Sequence, residues 1–188
     1  MPPKQRISKD DIVLAGIELV RKNGIDGVNA RSVAAKLNCS TQPIFSNYKS
    51  MDELKKDIIK TAYEKFMEYT LNYKPPKDYP KYKNTGLAYV SYAKNEPELF
   101  KLLFMRHRSS EEYSENDDSN KPVISIIKGA TELSEDEAEL FHNEMWIFVH
   151  GIATMVATDY MQLSDEAVSD MLTDIYQGLL KRFLEKRD

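Results

Sequence analysis

The same local signal for starting a helix stands before four segments of this 188-residue chain whose apolar residues have helical spacing. Each time, a serine or asparagine is followed three residues later by an acidic residue: Ser8 with Asp11, Ser50 with Glu53, Asn95 with Glu98, and Ser134 with Glu137. The short side chain can accept a hydrogen bond from a free backbone N–H, and the acid suits the positive end of a helix. Because the chain has only seven glycines and little strand-like alternation, the sequence predicts an all-α protein.

The spacing of apolar residues between these signals predicts about nine helices. They are expected at residues 9–23, 30–37, 41–48, 51–72, 82–94, 97–106, 122–131, 135–159 and 165–186. We predict an N-terminal domain over residues 1–50 and a C-terminal domain over residues 51–188, with the fourth helix as the connection. The polar stretch 108–121 predicts a mobile, solvated loop, because it holds too few apolar residues to be buried.

Charge is distributed unevenly along the chain. The net charge is −4, but residues 1–60 contain 11 Lys and Arg against 7 Asp and Glu, whereas residues 61–188 contain 15 against 23. A basic N-terminal third on an acidic body attracts phosphates at one end of the molecule. The alternative is ordinary fluctuation of charge along a chain.

Three features of the sequence indicate where the protein is located: its cysteine content, its longest apolar stretch and its N-terminus. A single cysteine, Cys39, cannot form an internal disulfide, which favours a reducing compartment. The longest apolar stretch, residues 145–157, is too short to span a bilayer, and the N-terminus does not resemble a signal peptide. We therefore expect a cytoplasmic protein with no membrane partner.

Residues 30–48 have the pattern of two short helices joined by a three-residue turn, a helix-turn-helix. The first helix directs Val33 and Leu37 inward, and the second directs Ile44 and Phe45 inward. The residues left exposed where the second helix begins are small and polar: Ser40, Thr41 and Gln42. Such residues can reach phosphates and base edges in a major groove, although a helical hairpin that binds no DNA fits the pattern as well.

The stretch from Ser8 to about Tyr69 resembles the N-terminal domain of the TetR family of transcription regulators. The matching run is ISKDDIVLAGIELVRKNGIDGVNARSVAAKLNCSTQPIFSNYKSMDELKKDII. The resemblance implies a homodimer that binds a palindromic operator in double-stranded DNA. It also implies regulation of transcription, more often repression, with release by a small-molecule effector.

The resemblance also implies a set of DNA-contacting residues around the second short helix: Arg31, Ser40, Thr41, Gln42, Pro43, Ser46, Asn47, Tyr48 and Lys49. Phe45 stands where the family usually has a tyrosine whose hydroxyl meets a phosphate. Ser46 and Tyr48 are therefore the candidates for supplying that hydroxyl. Because Asn29 and Met51 also depart from the family pattern, the operator sequence cannot be taken from a relative.

The eighth predicted helix contains the motif W-x-x-x-H-G, formed by Trp146, His150 and Gly151. It resembles the C-terminal domain of the WHG subgroup of the TetR family, and simple packing between helices is the alternative. Aromatic residues cluster in the fifth to eighth helices, where bundles often bind ligands. The predicted effector pocket consists of Tyr89, Tyr92, Phe100, Phe104, Trp146 and His150, and the alternative is a filled core.

The last two predicted helices have more apolar surface than one small core can cover. We therefore predict that two copies pair through these helices in a four-helix interface. The predicted interface residues are Met155, Thr158, Met171, Ile175, Gly178 and Leu179.

Enzymatic chemistry is not indicated. Glu139 and His142 form one E-x-x-H pair, whereas helical di-iron proteins need two such pairs and two further acids. No nucleophile elbow, phosphate-binding loop or dinucleotide fingerprint occurs. We expect no enzymatic activity, no cofactor and no metal. The alternative functions are a helical interaction protein or an all-helical enzyme, neither of which binds DNA.

Overall fold

The computed structural model describes residues 7–106 and 120–185, and these ranges contain nine α-helices and no strand. The helices are α1 (Lys9–Asn23), α2 (Ala30–Lys36), α3 (Gln42–Asn47), α4 (Met51–Asn72), α5 (Lys81–Asn95), α6 (Pro97–Phe104), α7 (Lys121–Ala130), α8 (Glu135–Ala157) and α9 (Asp165–Glu185). The predicted all-α fold is confirmed, and every helix begins and ends within two residues of its predicted position. Most of the predicted loop 108–121 lies outside the described residues.

Two of the four predicted caps form complete capping boxes. At α1, the Asp11 backbone N–H donates to Ser8 Oγ at 3.1 Å, and Ser8 N–H donates to the Asp11 carboxylate at 2.9 Å. Ser134 and Glu137 make the same pair of bonds at α8. The expectation for Asn95 is wrong. Glu96, and not Asn95, holds the N-cap position of α6, and it makes no side-chain cap bond. The Asn95 amide donates to the Ser91 carbonyl at 2.9 Å.

The helices form two compact units. Among the described residues, the N-terminal unit contains residues 7–68 and 96–106, and the C-terminal unit contains residues 69–95 and 120–185. Contacts therefore group α6 and most of α4 with the first three helices. The sequence pattern predicts a domain boundary at residue 50, directly before α4. This boundary remains a prediction.

The core of the N-terminal unit is built around α1 and α4. Ile12, Ile17 and Leu54 are buried, with at most 1% of their surface exposed. Gly16 allows the two helices to approach closely, since a Cβ at this position would collide with the side chain of Ile58, 2.9 Å from its Cγ1. Gly16 thus lets α1 lie close to α4, and α1 also packs against α2 and α6.

In the C-terminal unit, the core is aromatic and aliphatic. A cluster contributed mainly by α7, α8 and α9 consists of Ile124, Ile127, Leu133, Ala138, Phe141, Met145 and Phe183. Helix α5 packs against α8 and α9, with Gly86 next to Leu172. Within the described ranges, no helix has both the length and the apolar character that a membrane span requires.

Candidate functional site

Helices α2 and α3 form a tight pair whose inner faces are fully buried. Val33 of α2 and Ile44 of α3 have no exposed surface. The chain between them turns at Asn38, which has a left-handed backbone (φ 52°), a conformation that asparagine tolerates better than most residues. The Cys39 N–H donates to the Ala34 carbonyl at 3.0 Å and closes the turn. The predicted helix-turn-helix geometry is therefore present.

The start of α2 is fixed by a capping box that sequence reasoning missed. The N–H groups of Arg31 and Ser32 donate to Asn29 Oδ1 at 3.1 and 3.0 Å, and the Asn29 N–H donates to Ser32 Oγ at 3.0 Å. Asparagine is among the residues most strongly preferred at the N-cap, so Asn29 was a recognisable sequence signal for this capping box. Its effect is to hold the exposed Arg31 in the first turn of a well-defined helix.

The surface around α3 is largely polar. Of the predicted DNA-contacting residues, Arg31, Ser40, Gln42, Ser46 and Lys49 are exposed, and Thr41, Pro43 and Asn47 are partly exposed. We call these eight residues the α2–α3 surface. Arg31 and Lys49 contribute two positive charges to it, and the other six are uncharged.

Two polar side chains of the α2–α3 surface also bind their own helix. Ser46 Oγ donates to the Gln42 carbonyl at 2.9 Å, and Asn47 Nδ2 donates to the Pro43 carbonyl at 2.7 Å. These bonds orient both side chains. A primary amide has two N–H groups, so the orientation of Asn47 is compatible with a second bond to a phosphate.

Tyr48 is not part of this surface. It is 2% exposed, and its hydroxyl donates to Asp57 Oδ2 at 3.0 Å. Burial raises the pKa of Tyr48, and the hydrogen bond to Asp57 raises it further. Lys9 Nζ lies 4.6 Å from the centre of the ring. The candidate role of Tyr48 as a phosphate contact is therefore wrong for this conformation, because its hydroxyl is already bonded inside the unit.

Phe45 shows the opposite difference from expectation: it is expected to point inward and is exposed. The predicted inward orientation is wrong, because 56% of its surface is exposed. The inner face of this short segment is taken by Ile44 and Tyr48, which are one helical turn apart. A residue next to Ile44 is rotated by about 100° around the helix, which directs Phe45 outward.

The six predicted effector residues do not form one cluster within either unit. Phe100 and Phe104 belong to the N-terminal unit, where Phe104 packs edge-on against Phe66 with ring centres 5.0 Å apart. Tyr89, Tyr92, Trp146 and His150 belong to the C-terminal unit. Phe100 and Tyr92 are at most 1% exposed, so both residues pack as core in this conformation.

Three of these aromatic residues are in contact at the α5–α8 boundary. A hydrogen bond of 3.0 Å joins the Tyr89 hydroxyl and His150 Nδ1, and the Trp146 ring stacks on the His150 ring at 5.1 Å with an angle of 15°. Burial lowers the pKa of His150. Trp146 is 44% exposed, so this trio opens onto the surface of the unit.

Cavities in the C-terminal unit are lined by other residues. One has a volume of about 20 Å³, room for about one water, and its walls include Leu87, Val90 and Val156. The Lys94–Asp165 ion pair, at 2.9 Å, borders it. An open surface depression of about 420 Å³ adjoins Lys94 and Val156. None of the predicted effector residues lines either space. In the part of the chain that the structure describes, no group of acidic, His or Cys side chains is placed to hold a metal.

Comparison with known proteins decides the family. A family model described as "Tetracyclin repressor-like, C-terminal domain" matches residues 83–178, just over half of the chain. The chain belongs to the TetR family. The match covers most of the C-terminal unit and also α6 of the N-terminal unit, whereas the resemblance in the sequence is clearest in the first four helices. The two observations together cover most of the molecule.

Solved TetR structures share the fold over nearly the whole chain. A TetR-like transcriptional regulator from Rhodococcus sp. RHA1 has a TM-score of 0.67 at 16% identity, covering 93% of this chain and 96% of the other. A TetR-family member from Streptomyces coelicolor A3 has a TM-score of 0.63 at 17% identity, covering 89% and 96%. At such identities the similarity shows the fold of TetR-like transcription regulators. Comparison with curated proteins gives no significant sequence match.

The WHG assignment within the TetR family stays a prediction. The matching family model is described only as tetracycline repressor-like. Trp146 and His150 do stack one turn apart on α8, as the motif predicts. A Cβ on Gly151, however, would meet no atom of the described residues within 4 Å, so this glycine does not serve close packing among them.

An outward face of α8 and α9 carries exposed apolar residues. Leu140 and Ile147 are 51% and 66% exposed, and Met155 is 42% exposed on the same side of α8. On α9, a Cβ at Gly178 would meet no atom within 4 Å among residues 7–106 and 120–185. Of the predicted dimer residues, Met155, Thr158 and Gly178 are exposed, and Met171, Ile175 and Leu179 are half-buried. Ile175 and Leu179 also pack against the chain's own core, which accounts for part of their burial.

Proposed function

We propose that this TetR-family protein is a homodimeric, sequence-specific DNA-binding transcription regulator, a repressor that a small-molecule effector releases. The observation that carries the proposal is the α2–α3 surface. Its polar residues face solvent, while Ile44 and Tyr48 anchor the opposite side of the same segment in the core. A helix held in this way can enter a major groove without rearrangement of the unit.

Charge supports the same assignment. Arg31 and Lys49 are exposed and are the first and last residues of the α2–α3 surface along the chain, and both can bind phosphates. The excess of basic residues within residues 1–60 contrasts with the acidic remainder of the chain. This uneven distribution of charge would attract the N-terminal unit, and not the C-terminal unit, to DNA.

The outward face of α8 and α9 supports pairing of two copies. Exposed Leu140, Ile147 and Met155 would be removed from water in a four-helix interface, and the open space at Gly151 and Gly178 would let the partner's helices approach closely. Two copies can then present two α3 helices at about 34–36 Å, the spacing of successive major grooves on one side of a duplex.

Effector release requires the C-terminal unit to have a second conformation. The cavity beside Lys94 and Asp165 holds about one water, so an effector must open that space or the region around Tyr89, Trp146 and His150. An effector that favours a conformation with a different spacing of the α3 helices lowers DNA affinity. To release most of the protein, its preference for that conformation must amount to several kcal/mol.

Selection of bound sequences from randomised double-stranded DNA tests the proposal. We expect the full-length protein to enrich one palindromic site whose half-sites are about 10 base pairs apart, centre to centre. Failure to enrich any sequence, at low salt and at protein concentrations that favour dimers, would contradict the proposal. It would favour a helical interaction protein without DNA binding.

A further inference from the structure

The outer face of α3 carries one large apolar ring among polar side chains. Phe45 is 56% exposed and lies between exposed Gln42 and exposed Ser46 on the same short helix. Ile44 and Tyr48 fill the inner face. Because more than half of its surface is in solvent, Phe45 contributes little to the core. In the proposed DNA complex, this side chain would face the base edges in the major groove.

The positions of Gln42 and Phe45 match the scale of a base-pair step. Residues three apart on a helix share a face and are separated by about 4.5 Å along its axis. Successive bases along a strand are about 3.4 Å apart. A helix lying in the groove can therefore bring these two side chains to the same base pair or to neighbouring ones.

The chemistry of a phenyl ring restricts what it can recognise. In the major groove, the apolar group that distinguishes one base from the others is the C5-methyl group of thymine. Phe45 has no hydroxyl with which to bind a phosphate, so it cannot fix the protein on the backbone in the way a tyrosine at this position can. A glutamine side chain can form two hydrogen bonds to adenine, so Gln42 beside Phe45 suits an A·T-containing element.

We propose that Phe45 is a specificity-determining residue that contacts the C5-methyl group of a thymine in each operator half-site. This inference rests on the proposed function, because it requires α3 to lie in a major groove. It adds a base preference that the resemblance to TetR regulators does not supply, since it depends on the phenylalanine of this chain.

Replacing thymine by deoxyuridine tests the contact, because deoxyuridine pairs in the same way and lacks only the methyl group. The operator obtained by selection is synthesised with each thymine replaced in turn, and affinities are measured by fluorescence anisotropy at fixed salt. For the wild-type protein, we expect one position in each half-site where the replacement weakens binding by about fourfold, the value of burying one methyl-sized group. For Phe45→Ala, the same replacement should have no further effect.

Two variants make the result specific to the ring. Phe45→Leu keeps an apolar contact and should remain sensitive to deoxyuridine. Lys60→Ala changes an exposed residue of α4 outside the α2–α3 surface and should keep the full wild-type sensitivity. Circular dichroism and thermal melting should show Phe45→Ala folded as the wild type is, because the ring is largely outside the core.

The outcomes separate this inference from the proposed function. If the wild-type protein binds its operator specifically but is insensitive to deoxyuridine at every position, or if Phe45→Ala keeps the wild-type sensitivity, the thymine contact is wrong and DNA binding stands. A selected operator without thymine in its half-sites would also overturn the contact. If the wild-type protein selects no sequence, the proposed function fails and this inference fails with it.

Discussion

Arg21 and Glu96 are joined by two parallel hydrogen bonds. Arg21 Nε donates to Glu96 Oε2 at 2.8 Å, and Arg21 Nη2 donates to Oε1 at 2.7 Å. The pair ties the last turn of α1 to the residue before α6, and both residues belong to the N-terminal unit. Glu96 is also where the chain returns to that unit after α5. The bond therefore fixes α6 against the helix that supports α2 and α3.

We expect a double-mutant cycle of Arg21→Ala and Glu96→Gln to give a coupling free energy of about 0.5–1 kcal/mol. The bidentate geometry favours the upper end of this range, and solvent screening of the partly exposed arginine limits it. Urea unfolding at low and high salt measures the coupling, which should decrease at high salt. Lys22→Ala, at the exposed neighbour of Arg21, is the control and should show no coupling to Glu96→Gln. A coupling of zero for Arg21→Ala at low salt would show that the pair does not stabilise the fold.

The buried hydroxyl of Tyr48 gives a second prediction. Tyr48→Phe removes the hydrogen bond to Asp57 and should lower the free energy of unfolding by about 1 kcal/mol. Because Tyr48→Phe removes no direct contact with DNA, operator affinity measured below the melting transition should stay within about twofold of wild type. A factor of two is a small change on a scale where about 1.4 kcal/mol of binding free energy corresponds to tenfold in affinity. A large loss of affinity with unchanged stability would instead make Tyr48 a DNA contact.

Acidification should destabilise the protein through two half-buried histidines, His142 and His150. Burial lowers the pKa of His142 and of His150 below the usual value of 6.5, so the unfolded chain binds protons more readily than the folded one. Their contribution to stability is complete above the unfolded pKa and is lost as the pH falls from there through the folded values. We expect stability to decrease between pH 7.5 and 6, a range in which carboxylates remain ionised.

The double variant His142→Asn and His150→Asn separates this effect from other titrations. Its free energy of unfolding should change less with pH over the same range than that of the wild type. Urea unfolding at several pH values measures both slopes. Equal slopes in the two proteins would show that these histidines do not cause the pH dependence.

The apolar face of α8 predicts how the dimer can be broken. Ile147→Glu places a charge on a side chain that is 66% exposed in one copy, so the protomer should fold while the interface loses an apolar contact. Sedimentation should show a shift from dimer to monomer at micromolar concentration. Leu71→Glu, at an apolar residue of α4 that is 80% exposed, is the matched control and should leave the dimer intact. A wild-type monomer at high micromolar concentration would rule out pairing.

Helix positions could be predicted because they depend on local signals. Ser8 and Ser134 cap their helices with bonds to residues three positions on, and such bonds are visible in the sequence. Orientation was harder to predict where a helix is short. The six residues of α3 are too few for their spacing to show which face is buried, so the sequence pattern wrongly directs Phe45 inward. In the structure, the burial of Ile44 and Tyr48 defines the inner face and leaves Phe45 outside.

The predicted pocket shows the other limit of sequence reasoning. Aromatic residues that are close in sequence, such as Tyr92 and Phe100, belong to different units, because the chain returns to the N-terminal unit at Glu96. Periodicity reports which residues are buried, but it does not report against which neighbour. The Lys94–Asp165 pair beside the small cavity joins residues 71 positions apart and has no signature in the sequence.

The central claim is that the α2–α3 surface binds specific DNA, and operator affinity of surface variants tests it most directly. We expect Arg31→Ala and Thr41→Ala each to weaken binding to the selected operator, by about tenfold or more for Arg31 because its bonds are charge-assisted. Melting temperatures should be unchanged, since neither side chain caps a helix. Lys60→Ala removes the same charge from an exposed position in α4 and should bind as the wild type does. If Arg31→Ala and Thr41→Ala bind the operator as tightly as Lys60→Ala, the claim is contradicted.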